Sequence, residues 1–251
     1  MNNDSPKFAF ILGRERDLCL AELRAVFKRF DFCFSISSLY DNVAIINIDG
    51  KSESDVAGLM ETLGGTVKIF RIFQNSEIGI QNLAFKGIIV DYMRSNLKAD
   101  GKFNYGISSY SRAFNRSSAN NLGLSIKKEL KKEFSLRFVE LRDGQEVSSI
   151  LSLKSKFVNE GFEFAIFESG EIGILIALSN AEEWGNRDYD KPAGDKRSGM
   201  LPPKLARAML NIALGSLSKV SEVPQDKVLV LDPFCGSGNI VLEAMMLGLD
   251  V

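Results

Sequence analysis

The chain has 251 residues, 45% hydrophobic and 25% charged, with a formal net charge of −1. It can therefore bury ordinary cores and is not a polycation that would hold nucleic acid indiscriminately. It contains no histidine, which excludes Ser-His-Asp and Cys-His nucleophilic catalysis, most zinc chemistry and histidine acid–base work.

Chemistry must then rest on a cofactor, on carboxylates or on backbone. No apolar run approaches the roughly 20 residues that span a bilayer, and the N-terminus lacks the layout of a signal peptide. Cys19, Cys33 and Cys235 are far apart and lack metal-ligand spacing, which fits free thiols and a cytoplasmic location.

The first 75 residues alternate strand and helix signals. Phe8 to Leu12 reads as a strand, and Asp17 to Phe30 as a helix with apolar positions at helical spacing. Two strands surround the turn pair Asp41-Asn42. Ser52 or Ser54 caps a helix that ends at Gly64-Gly65, and Val67 to Phe73 returns to strand. This β-α-β-β-α-β order is that of a ferredoxin-like unit.

A second α+β unit follows over 76–180. The pattern predicts a helix over 80–93, a strand over 103–110 and a helix over 120–134. In that helix Leu122, Ile126, Leu130 and Phe134 form one stripe. A strand over 136–141, a helix over 147–158 and strands over 162–167 and 172–178 complete the unit. Trp184 is placed at the end of a strand, in a packing role. A polar connector runs from Asn186 to Gly199, within a linker of 181–202. A helix over 203–217, a strand over 228–231, a glycine loop and a helix over 240–247 complete the chain.

Residues 102–156 hold 11 Lys/Arg against 5 Asp/Glu, whereas 157–185 hold 6 Glu and no basic residue. A basic segment inside a neutral chain points to an anionic partner met on one face. On a helical wheel Lys127, Lys128, Lys131 and Lys132 fall opposite the apolar stripe. A solvated face paired locally with Glu129 and Glu133 is the plain alternative. Arg112 and Arg116 bracket Phe114, a basic–aromatic mixture suited to unpaired nucleotides, unless Phe114 belongs to the core.

The step from the strand at Val228 into the helix at Ile240 places Gly236 and Gly238 where backbone can approach a ligand and a helix N-terminus favours negative charge. A dinucleotide fingerprint would need a third glycine where Val241 stands, and no Gly-Lys-Ser/Thr of a P-loop is present. The string Leu231-Asp-Pro-Phe-Cys-Gly-Ser-Gly-Asn-Ile-Val-Leu-Glu-Ala244 resembles the first motif of RNA methyltransferases that carry a THUMP domain. Arg187-Asp-Tyr-Asp-Lys-Pro, Ser198-Gly-Met-Leu-Pro-Pro-Lys-Leu-Ala206 and Leu12-Gly-Arg-Glu-Arg-Asp-Leu-Cys-Leu-Ala-Glu22 resemble other segments of that group, and of its tRNA guanine-10 N2-methyltransferase branch in particular.

The resemblance implies a ferredoxin-like domain (1–75), a THUMP RNA-binding domain (76–180), a linker (181–202) and the start of a Rossmann-like methyltransferase domain (203–251). It implies S-adenosyl-L-methionine as cofactor and tRNA as partner, with no metal and no membrane. Asp232, Pro233, Cys235, Gly236 and Gly238 would line the cofactor's methionine end, bordered by Met200, Leu201 and Pro202. Asn239, where the group more often has threonine, would cap the helix. Lys127, Lys128, Lys131, Lys132, Arg112 and Arg116 would hold RNA.

The acidic residue for the cofactor ribose and the Asp/Asn-Pro-Pro-Tyr motif for the target base do not occur in 1–251. The chain is therefore expected to be cut within its third domain, and to bind RNA without catalysis. Two other classes stay open: a non-catalytic RNA-binding module, and a DNA base N-methyltransferase.

Overall fold

The computed structural model describes residues 5–74, 82–98, 101–189, 200–217 and 228–251. The fold is mixed α/β, and the chain groups into two compact units. The central unit, named for its place in the sequence, comprises Met1–Ala9 and Lys68–Leu178. The flanking unit comprises Phe10–Val67 and Ser179–Val251.

In the flanking unit, β1 (Lys7–Leu12, which enters from the central unit), α1 (Arg16–Arg29), β2 (Cys33–Tyr40), β3 (Val43–Asp49) and α2 (Glu53–Thr62) follow the expected order. The strands lie in the order β2-β3-β1, with β2 and β3 antiparallel. Ser52 begins α2 through a reciprocal capping box with Asp55, which satisfies backbone donors that a helix start leaves open. The apolar face of α1 buries Phe27 among Phe10, Phe32 and Phe34, with ring centroids 4.8–5.6 Å apart.

Three more helices belong to this unit: α6 (Ala181–Tyr189), α7 (Pro203–Leu217) and α8 (Asn239–Met246). Here the structure corrects the sequence reading twice. Trp184 lies in a helix, because β8 ends at Leu178 and the Asn180 side chain accepts hydrogen bonds from the N–H groups of Glu182 and Glu183. The strand expected over 228–231 contracts to a parallel bridge between Leu229 and Asp250. The connector residues 190–199, with Ser198, lie outside the described residues.

In the central unit β4 (Thr66–Gln74, which arrives from the flanking unit), α3 (Asn82–Asn96), β5 (Lys102–Tyr110), α4 (Arg116–Leu130), β6 (Ser135–Val139), α5 (Ser149–Lys154), β7 (Gly161–Phe167) and β8 (Ile172–Leu178) succeed one another. The strand order is β4-β8-β7-β5-β6, with β5 parallel to both neighbours and β8 antiparallel to β4 and β7. The expected division near residue 76 and the first residues of the 80–93 helix fall outside the described residues.

Helix α4 begins and ends earlier than its apolar stripe predicts. Asn115 caps it, accepting from the Ser118 N–H at 3.0 Å, and it stops at Leu130. Phe134, the last member of the stripe, lies beyond the helix. The core of this unit also holds charge. Glu163, fully buried, accepts from Lys68 Nζ at 2.6 Å, Ser108 Oγ at 2.7 Å and Ser152 Oγ at 2.5 Å. Lys68 Nζ also donates to the Val147 carbonyl. All four polar side chains are thereby satisfied, the condition under which buried charge is tolerated.

Candidate functional site

The glycine loop and α8 form the better defined site. Gly236 has φ +49° and Gly238 has φ +74°, the left-handed region that costs a side-chain-bearing residue about 1–2 kcal/mol. The Gly238 N–H donates to the Cys235 carbonyl at 2.7 Å, and the Phe234 N–H donates to Asp232 Oδ1 at 3.1 Å. These bonds close the turn and leave the loop standing at the N-terminus of α8.

A cleft of about 310 Å³ opens there. Five residues singled out from the sequence meet on its wall: Met200, Leu201, Asp232, Cys235 and Gly236. Phe234, Ser237, Asn239 and Ile240 line it as well. Pro202, Pro233 and Gly238 are not on the wall; both prolines are exposed, and Gly238 serves as the N-cap of α8. Phe234 is 93% exposed.

Asn239 does not cap the helix, as the sequence reading expected. It is the first helical residue, where the side chain no longer reaches the free N–H groups. It is buried, and its amide donates instead to the Leu201 carbonyl. Its carboxamide oxygen is buried with no hydrogen-bond partner among the described residues.

Behind the loop lies a polar cluster to which the sequence reading assigned no role. Glu243, fully buried on α8, takes Arg207 Nε at 2.8 Å and Nη2 at 2.6 Å on one oxygen, while Arg187 Nη1 lies 3.2 Å from the other and 3.3 Å from the first. Arg187 stacks over Trp184, its guanidinium carbon 3.8 Å from the ring centroid. Burial pulls the nearby Lys204 ammonium below its usual value, while its Nζ donates to Ser179 Oγ. The available signal was one carboxylate inside an otherwise apolar helical run.

A second buried carboxylate joins α1 to α7. Glu22 accepts from the Gly64 and Gly65 N–H groups and the Asn211 amide, each at 2.7 Å. Burial pushes its carboxyl up from the usual range, against the pull of those donors. A side chain at Gly65 would meet both Cys19 Sγ and Glu22 Oε2, so the turn must be glycine.

The basic residues in the central unit do not form one patch. Lys127 and Lys128 occupy the last turn of α4, and Lys131 and Lys132 lie past its end, so a helical wheel does not place the latter pair. All four are exposed. Glu129 and Glu133, the lysines' partners in the solvated-face alternative, turn to α3: Glu129 meets Lys86 at 2.6 Å and Glu133 meets Arg94 at 2.8 Å. Among the described residues the four lysines form no ion pair.

Arg112 and Arg116 stand at the opposite end of α4, roughly 20 Å away at 1.5 Å per residue. The Arg116 guanidinium donates to the Arg142 carbonyl, and the Arg112 backbone N–H donates to Glu168. Phe114, which they bracket, is core: it is 1% exposed and packs edge-on against Phe85. The mixture for stacking unpaired bases is thus not available at this point. No group of three or more metal-ligating side chains occurs among the described residues, and no helix there is long and apolar enough to cross a membrane.

Residues 191–251 match the family model of the RMKL-like methyltransferase domain. Over 242 residues the chain is 27% identical to the tRNA (guanine(10)-N2)-dimethyltransferase of Methanocaldococcus jannaschii, covering 94% of this chain and 63% of that protein. It is 32% identical over 84 residues to the protein of the same name from Pyrococcus abyssi, covering 32% of this chain and 21% of the relative. The chain thus spans less than two thirds of the length of each. TrmN from Thermus thermophilus superposes with a TM-score of 0.48 at 16% identity, over 96% of this chain and 61% of that one. The matched segment, residues 191–251, includes the cleft and helices α7 and α8.

Proposed function

We propose that this chain belongs to an S-adenosyl-L-methionine-dependent tRNA methyltransferase that modifies the exocyclic N2 of a guanine, position 10 being the target. The cleft at the start of α8 would receive the cofactor, and residues 76–180 would hold the tRNA in a THUMP-type domain. The ferredoxin-like division at 1–75, the linker at 181–202 and the cytoplasmic location belong to the same proposal. The observation that carries it is the convergence of Met200, Leu201, Asp232, Cys235 and Gly236 on one cleft, in the segment that matches a methyltransferase-domain family.

The donor set fits the cofactor's methionine end. That end offers an ammonium donor, a carboxylate and a short aliphatic chain ending in a sulfonium. Asp232 and the unpartnered oxygen of Asn239 are acceptors, the first turn of α8 favours an anion, and Leu201 and Ile240 are apolar. The bound cofactor supplies an electrophilic methyl group; the chain's own residues orient it and exclude water from one side.

On the RNA side, exposed lysines without acidic partners suit phosphate contacts that position a substrate without reading its sequence. A guanine within a duplex must be extruded before its amine can meet such a cleft. Leu229 and Leu231, 69% and 83% exposed, support the view that further strands complete the catalytic domain, so that the 251 residues alone bind tRNA and do not methylate it.

The test pairs two measurements. Nucleoside mapping of tRNA from cells lacking the full-length gene should show loss of an N2-methylated guanine at position 10. The 251-residue chain should bind tRNA in a salt-sensitive way without methyl transfer. Intact modification would overturn the enzyme assignment and favour a non-catalytic RNA-binding module. Preference for duplex DNA over tRNA in competition would favour a DNA base N-methyltransferase.

A further inference from the structure

We propose that Glu243 and Asn239 are positioning residues for the 232–238 loop, acting through the orientation of α8. This rests on the reading of that loop as the cofactor cradle, and names the part of the molecule that sets its geometry.

The two residues are one helical turn apart, four positions along α8, and share its buried face. They are 0% and 4% exposed, while Leu242, Met245 and Met246 on the other faces are open to solvent. Asn239 ties the first turn to the Leu201 carbonyl, across the mouth of the cleft. Glu243 ties the second turn to Arg207 on α7 and Arg187 on α6. Arg207 is itself anchored, donating through Nη1 to the Glu61 carbonyl at 3.1 Å. Arg187 is clamped against Trp184.

Apolar packing also holds α8, through Ala244 against Leu210 and Leu214. Such packing is non-directional and tolerates small rotations or slides of a helix. A carboxylate taken by two guanidinium groups does not, because its hydrogen bonds fix distance and angle. Buried ion pairs are in general weak sources of net stability, and apolar replacements are often neutral. What this cluster adds is orientation. The loop leaves the N-terminus of α8, so a rotation of the helix carries Asp232 and Gly236 away from Leu201 and changes the cleft.

Hydrogen–deuterium exchange on the 251-residue chain tests this. In Glu243→Gln, which keeps the volume and removes the charge, amides of the 234–238 loop should exchange about tenfold faster while α7 amides stay within about twofold. Asn239→Ala should accelerate the loop by about threefold. Leu214→Ala, which loosens the apolar side, should accelerate α7 and α8 more than the loop. Should Glu243→Gln not fold, Arg187→Lys keeps the charge, loses the planar fork, and should accelerate the loop by about threefold.

Loop exchange unchanged in Glu243→Gln, or raised equally in loop and α7, would overturn the proposal and leave the cluster a general stabiliser. Titration of the full-length wild-type protein with S-adenosylhomocysteine separates the two readings. Absence of binding would sink the cofactor assignment, while the exchange data still decide the positioning role.

Discussion

Glu163 in the central unit and Glu243 in the flanking unit are both fully buried carboxylates, yet their surroundings differ. Glu163 is shared among a lysine and two serine hydroxyls drawn from β4, β5 and α5, a closed set that includes none of the predicted site residues. Glu243 is shared between two arginines and lies on the helix that starts at the glycine loop. Lysine offers a point charge; arginine offers a planar fork that fixes direction. The first arrangement suits a core that needs only charge balance, and the second suits a helix whose orientation matters.

The largest effect that would break this contrast is in the central unit. Glu163→Ala leaves Lys68 buried without its carboxylate and should cost about 3–5 kcal/mol of stability by denaturant unfolding. Adding Lys68→Met should restore most of it, since the pair contributes little net. Failure of that rescue would mean the central pair also serves geometry.

Glu22→Gln comes next. Its amide would set a donor against one of the glycine N–H donors, an expected cost of about 1–3 kcal/mol. The wild-type carboxyl is raised in the folded state above its ordinary 4.5. A raised carboxyl contributes stability that is fully present below the unfolded value and is lost as pH rises through the folded one. Melting temperature should therefore fall with rising pH above about 4.5 more steeply in the wild type than in E22Q. Parallel profiles would show that the three N–H donors offset the burial completely.

Reversing Lys127, Lys128, Lys131 and Lys132 to Glu should weaken tRNA binding at least about tenfold at low salt and flatten its salt dependence. Unchanged affinity would restore the solvated-face reading. The smallest change is expected for Arg112→Ser with Arg116→Ser, within about threefold, because these side chains lie a helix length from the lysines and Arg116 is bonded to backbone. A loss as large as that of the lysine reversal would put the RNA path along all of α4.

Much of the fold was legible. The order of elements follows the apolar periodicity, and Pro203–Leu217 and Ile172–Leu178 appear with the predicted bounds. Misplacements came where a polar cap overrode periodicity: Asn115 starts α4 early, and Asn180 turns the Trp184 region into helix. The candidate site was legible in its loop, because a left-handed turn needs glycine wherever it stands. Its support was not. Asn239 looked like a cap and Phe114 like a stacking platform; one proved to be a cross-segment tie and the other core.

By itself the sequence determined the alternation of helices and strands, the glycine turn at 236–238 and the local excess of basic charge, all of which rest on neighbours within a few residues. Only the tertiary structure decided which charges are buried and with whom. Arg207 meets Glu243 across 36 residues and Asn211 meets Glu22 across 189. No local period encodes such pairings, because burial and direction at a site depend on how whole elements pack.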